Sequence, residues 1–343
     1  MSSLVVVGNQ GLENNMRSMN HFRAIVVSVA LGLVALVALP GIAGAQQGHK
    51  HKQKQSKVKR TQKVAIGFTA LKGGKRVSCG QPITDLGTTS RTARLTDLRF
   101  YVSGVRLLRR GGGAVKVKLA KGSKWSYTKG KSAVTLIDLE NGSGSCATDG
   151  TKAMNARVRG TVPRGKYVGV RYSVSVPEAL NHTDLTATPA PLNITAMGWS
   201  WQFGRKFAKI EVSEDGGEAW ASTTYFLHVG STDCKGDPAA GEKAKCALPN
   251  RNQITLRKFN PAKQKIALDF QKLFAGVNVA GEPMDMGDMG GMDDSGDMGG
   301  MMEMPGCMSG TTSPDCGPLF TALGLKLGTT KKTAQTAFRV VRK

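Results

Sequence analysis

The sequence predicts an all-β fold, an antiparallel β-sandwich-like single domain, on three observations. From Val64 onward, short runs rich in Val, Ile, Tyr and Phe recur, many alternating apolar with polar residues. That period of two belongs to strands with one buried face. Gly, Pro, Asn and Asp separate the runs at sandwich-like intervals, and 43 glycines supply residues for that many turns. No segment before residue 270 carries an amphipathic helical period.

Taken in order, Arg17 and Arg23 precede an apolar run from Ala24 to Leu39, broken at Pro40 and followed by Ala43-Gly44-Ala45. A positive start, a short apolar centre and a small-residue exit predict a secretory signal peptide over residues 1–45, cleaved before Gln46. The rival reading is an N-terminal membrane anchor, but the small-residue exit and the polar continuation favour cleavage. The mature protein is then exported (periplasmic, cell-surface or secreted) and is not transmembrane. Residues 46–63 read as a basic disordered arm, and the folded domain is expected over 64–328.

Ten strands are expected in that domain: VAIGFTA, LRFYVSGVRLL, AVKVKLA, SAVTLIDLE, ARVRGTV, YVGVRYSVSV, FAKIEV, STTYFLHVGS, QITLRKF and KIALDF. Residues 282–304 are interleaved Met, Asp and Gly, unable to pack a core, and read as a mobile loop insertion. PLFTALGLKLG suits a short helix. Residues 329–343 form a basic tail whose TAFRVVRK suits an edge strand.

Export decides how the six cysteines are read. In an oxidising compartment they imply a disulfide framework. Cys234 and Cys246 close one short loop, Cys307 and Cys316 another, leaving Cys79 with Cys146. A zinc site is the alternative, but no C-x-x-C occurs.

The formal charge of +24 suggests an anionic partner. The arm has no interleaved aromatics for base stacking, so envelope polyanions fit better than nucleic acid. Two histidines lie in the folded part, His182 in LNHTDL and His228 in YFLHVGS, with Met197 in TAMGWSW. Imidazole and thioether donors suit copper. Trp199 and Trp201 stand two apart, which on a strand places both indoles on one side; adjacent indoles are also oxidisable. The 282–304 segment carries Met284, Met286, Met289, Met292, Met298, Met301, Met302 and Met304, soft donors for Cu(I). Asp97, Asp138 and Asp269 read as structural acids. G-x-S-x-G, H-E-x-x-H and P-loop motifs are absent from the sequence, so the chain is not expected to be an enzyme.

Several longer stretches carry a family resemblance: LTDLRFYVSGVRLL, VTLIDLENGSGSC followed by Gly150-Thr151, and VPRGKYVGVRYSVSVPEALNH. With them stand PLNITAMGWSWQFGRKFAKIE, FLHVGSTDC, the C-x-x-PNR at Cys246–Arg251, and GCMS…DC. Over residues 64–325 the chain resembles the MbnP-like copper-binding proteins, also described as metallo-mystery pair proteins with a four-Cys motif and a W-x-W signature.

That resemblance implies an exported copper-binding protein partnered by a MauG-like dihaem cytochrome c peroxidase. The partner would oxidise a Trp to kynurenine, after which copper binds with histidine ligands. Carried onto this chain, the W-x-W is Trp199 and Trp201, and the motif histidines are His182 and His228. Trp125 and Trp220 stay open as oxidation sites. The four recurring cysteines would include Cys79, Cys146, Cys234 and Cys246, with Cys307 and Cys316 a further pair. Two other classes remain in view: an envelope adhesion module held by its basic surface, and an electron-transfer partner whose Trp pair relays without modification.

Overall fold

The computed structural model describes residues 60–199, 204–215, 224–281 and 305–343. The signal segment, residues 46–59 of the arm, Trp201, Trp220 and Met284 through Met304 lie outside the described residues. The first part of the chain gives β1 (Thr61–Lys72), β2 (Lys75–Arg76), β3 (Pro82–Leu86), β4 (Arg91–Arg109), β5 (Ala114–Lys116), β6 (Lys118–Leu119), β7 (Ser126–Lys129) and β8 (Ser132–Asp138). The middle gives β9 (Arg157–Pro163), β10 (Tyr167–Val174), α1 (Glu178–Asn181), β11 (Ala208–Glu214), β12 (Thr224–Val229), β13 (Thr232–Lys235) and β14 (Lys245–Leu248). The rest gives β15 (Ile254–Arg257), β16 (Gln264–Asp269), α2 (Phe270–Leu273), β17 (Gly306–Cys307), α3 (Cys316–Ala322) and β18 (Phe338–Arg342).

These strands build two large sheets and one ribbon. The six-stranded sheet runs β18-β16-β1-β9-β6, with β2 on β1. The ten-stranded sheet runs β15-β10-β4-β11-β12-β17, with β3, β5 and β8 also on β4 and β7 on β8. β13 and β14 form the ribbon. Most pairs are antiparallel, as alternation and short turns predict. Two are not: β1–β16 and β12–β17 run parallel. The partners in each pair are joined by long excursions of chain, the condition a parallel pair requires, and no local pattern announces it.

β4 is the axis of the larger sheet. It begins at Arg91, ahead of the apolar run at Leu98, because RTARLTD already alternates and buries Ala93 and Leu95. Against one face of this sheet, Leu98, Phe100, Ile210, Val212 and Leu227 join Ile66, Phe68, Val158 and Ile266 in the main core. Each such burial stabilises by ~1.5–3 kcal/mol. Phe68, Phe100, Tyr172 and Phe338 meet edge to face, with ring centroids 5.6 to 5.9 Å apart. Phe338 belongs to β18, so the C-terminal tail is an edge strand with a core residue.

The opposite face carries a smaller core of Tyr101, Val134, Leu136, Val176, Leu180, Leu192, Met197 and Phe207. It lies beneath the segment that includes α1 and the turn at Thr195–Met197. Disulfides join Cys79–Cys146, Cys234–Cys246 and Cys307–Cys316, the pairs that loop spacing indicates. Cys234 and Cys246 face each other across the β13–β14 ribbon. Among the described residues, no helix is long and apolar enough to cross a membrane.

Candidate metal centre

The face that holds the smaller core also buries ions. Alternation puts residues 97, 99 and 101 of β4 on this side, as it does 209 and 211 of β11 and 226 and 228 of β12. Register then sets Asp138, Arg99, Lys209 and His228 directly opposite one another across β8, β4, β11 and β12. The next row is Asp97, Glu211 and Phe226. Asp97, Arg99, Asp138, Lys209, Glu211 and His228 are all buried.

Each buried charge has a partner, as a low-dielectric interior demands. Arg99 Nε donates to Asp97 Oδ1 at 2.8 Å, and its Nη2 makes a second bond to Asp97 Oδ2. Lys209 Nζ reaches Asp97 Oδ2 at 2.7 Å and Glu211 Oε2 at 2.8 Å, with the more exposed Asp149 at 3.3 Å. Burial works against the Lys209 ammonium, but Asp97 and Glu211 outweigh it and raise the pKa. Burial likewise works against the Glu211 carboxylate, yet the bonds from His228 and Lys209 hold its pKa below the usual value. Asp138 is the exception: burial, then Glu140, raises it to about 8, and its Oδ1 has no hydrogen-bond partner. It is the protonated acid of the row at neutral pH.

His228 stands at the end of this chain of charges. Its Nε2 lies 2.6 Å from Glu211 Oε1. A carboxylate only accepts, so the Nε2–H donates to it. Burial lowers the His228 pKa despite the opposing pull of Glu211, leaving a neutral ring at pH 7. The lone pair therefore sits on Nδ1, which is buried and without a hydrogen-bond partner among the described residues. A histidine whose far nitrogen is tied to a carboxylate, presenting the other nitrogen bare, is the usual arrangement of a metal ligand with its supporting acid.

The surroundings of that nitrogen are aromatic and closely fitted. Trp199 lies edge-on to His228 with ring centroids 6.3 Å apart, and Phe226 at 5.6 Å. Trp199 follows Gly198, which bridges Arg205, and its N–H donates to Gly204 O. Its ring covers Gly230: a Cβ there would stand 2.4 Å from Trp199 Cζ3, so only glycine admits the indole. Ser309 Oγ donates to the His228 carbonyl and accepts from the Gly230 N–H, each at 3.0 Å. Asn250 Nδ2 donates to the Gly230 carbonyl at 2.8 Å. The Cys307–Cys316 loop and the PNR motif thus clamp the strand end that carries His228.

His182 follows α1, next to Asn181, whose side chain is tied to Arg205. Arg205 N–H donates to Asn181 Oδ1, which fixes the amide so that Asn181 Nδ2 donates to His182 Nε2 at 3.0 Å. The Cys246 sulfur is 3.5 Å from that nitrogen. Cys234 and Cys246 lie close enough to His182 to share an ion, but both sulfurs are in a disulfide and offer no thiolate. The same holds for Cys79 and Cys146 beside Glu140.

The structure thus brings His228 together with Trp199 and links His182 to Arg205 through Asn181. It does not bring Met197 to them. That residue is fully buried in the smaller core, a packing position rather than a ligand position, because the turn at Thr195–Met197 points it among Leu180, Leu192 and Phe207. Trp125 also packs against that core, with Lys124 5.1 Å above its ring. Asp97 is the paired structural acid expected of it. Glu211, Lys209 and Arg99 were not singled out by sequence; their signal is charge alternating within otherwise apolar strands, as in KIEV and DLRFY.

Together these features define a disulfide-braced β-sandwich that carries a buried, carboxylate-backed histidine beside an indole. The chain belongs to the MbnP family, whose model matches residues 61–289. It is similar to the solved structure of MbnP from Methylosinus trichosporium, with 31% identity and a TM-score of 0.67. That alignment covers 82% of this chain and 99% of the other. A comparison with curated proteins found no match.

Proposed function

We propose that this chain is an exported copper-binding protein whose centre uses His228 and His182, with Trp199 as the indole that a MauG-like dihaem peroxidase partner converts to kynurenine. The observation that carries the reading is His228 Nδ1, buried, neutral and bare, with its ring fixed by Glu211. Neutral imidazole is a good copper donor, and an orphaned buried nitrogen is costly unless something satisfies it. Copper held there would add a redox-active, nitrogen-preferring centre.

Conversion of Trp199 would supply ligands that the encoded residues lack. The indole C2–C3 bond would break as two equivalents of peroxide each supply one oxygen atom and are reduced to water, and hydrolysis of the resulting formamide would release C2 as formate. An aniline nitrogen and a ketone are left beside His228. The protein would be substrate and metal carrier in this scheme, not catalyst. The chain's own part is to hold the indole against Gly230 and keep His228 in one tautomer.

Copper titration of the wild type against His228→Ala and His182→Ala tests the site. Each variant should lose the tight equivalent; unchanged affinity and stoichiometry in both would remove the proposal. Intact-mass and peptide analysis of native protein tests the modification. An unmodified Trp199 in copper-loaded native material would instead favour the Trp-relay reading. The segment from Met284 to Met304 is proposed as a separate Cu(I) capture sequence. Deleting it should remove soft-metal equivalents and leave the His228 site intact.

A further inference from the structure

The +24 charge is not spread evenly over the folded domain. At the far end of β4, Arg109, Arg110, Arg171, Arg257 and Lys258 line one cleft, of about 840 Å³, together with Gly111, Gly112, Gly113 and small or apolar residues. A second cleft shares Arg110 and Val168 with it and adds Lys63 and Lys166. Neither lining contains an Asp or Glu side chain. Like charges gathered without countercharge repel one another, and that cost is relieved only by an anion or by salt.

Three features narrow the partner. Four of the five cations in the first cleft are arginines, whose planar forks match phosphate oxygens in pairs. The linings carry no Trp, Phe or Met to insert into a bilayer, their one aromatic, Tyr167, is buried with its hydroxyl donating to Pro163 O, and the surface is concave where a membrane is flat. In sequence, the basic run Lys50 to Lys63 leads directly into β1, whose Lys63 lines the second cleft.

We infer that this double cleft is a docking surface for a linear phosphate-bearing polymer. It is distinct from the metal centre. Arg99, in the same cross-strand row as His228, is ten residues before Arg109 on β4, at most ~33 Å at strand rise. A polymer bound at the far end would hold the protein in place without contacting the row that contains His228.

The test is binding of inorganic polyphosphate to the full mature chain at near-physiological salt, wild type against two charge-matched double variants. Arg110→Glu with Arg257→Glu should weaken binding by about tenfold or more and flatten its salt dependence, since two phosphate contacts are lost. Lys75→Glu with Arg76→Glu, on the exposed β2 hairpin, removes the same charge and should change affinity less than about threefold. Equal losses in both pairs would mean general attraction to a basic protein and overturn the proposal, as would no loss in either. Tighter, arginine-dependent binding to phosphatidylglycerol vesicles or to polyglutamate would also overturn it, in favour of a membrane or an acidic protein.

Discussion

On one face of the ten-stranded sheet, Leu98, Phe100, Ile210, Val212 and Leu227 meet the second sheet in a wholly apolar contact. On the other, one residue along on the same strands, Asp97, Arg99, Lys209, Glu211 and His228 are buried just as deeply. The first face needs no explanation beyond hydrophobic burial. The second is a poor way to gain stability, because desolvating paired ions roughly cancels their attraction and apolar replacements often do as well. What ions provide is fixed geometry: Asp97 holds Lys209 and Arg99, Lys209 holds Glu211, and Glu211 holds the His228 ring. The apolar face makes the fold, and the ionised face sets one nitrogen beside one indole.

Four experiments sharpen or break that contrast. On the apolar face, Phe100→Ala should cost ~3–5 kcal/mol in denaturant unfolding, since it removes a ring from the four-membered aromatic cluster. A loss under ~1 kcal/mol would mean the two sheets are not packed as described. On the ionised face, Lys209→Met leaves Asp97 and Glu211 short of their countercharge and should cost a similar ~3–5 kcal/mol. If it were neutral, the carboxylates must already be protonated or hydrated, and the network would not be what fixes His228.

The pH dependence of stability should report Asp138. Its folded pKa of about 8 lies above the ordinary aspartate value of 3.8. The folded state therefore keeps a proton that the unfolded state loses, and stability falls as pH rises between those values. Asp138→Asn should remove that fall, on the order of a few kcal/mol between pH 4 and 8. Parallel pH profiles for variant and wild type would show that Asp138 is not the buried acid. The smallest effect belongs to Glu211→Gln. It should weaken copper binding by roughly 10–100-fold while leaving one equivalent bound, because a supporting hydrogen bond is altered and no ligand is lost. Unchanged affinity would detach Glu211 from the site.

Much of this was legible in residue order. Period-two alternation marked the strands because a sheet with one face in the core repeats every second residue. The disulfides followed from loop lengths, while the choice of His182, His228 and Trp199 as site residues rests on the motifs around them and belongs to the proposal. What misled was local too: Met197 stands two residues from Trp199 in sequence, but the turn between Ile194 and Gly198 directs it into the smaller core. The parallel pairings of β1 with β16 and β12 with β17 join segments far apart in the chain, so no window of sequence contains them.

The sequence by itself determined that the ten expected runs carry strands and which cysteines bridge, because these depend on side-chain chemistry and short-range spacing, but not the short strands β2, β3, β7, β13, β14 and β17. Only the tertiary structure decided that Glu211, two strand positions from Lys209, would turn His228 into a ring with one bare nitrogen. It also decided that arginines from β4, β10 and β15 would line one cleft. Both results depend on register between strands distant in the chain, and register is set by how the whole sheet packs.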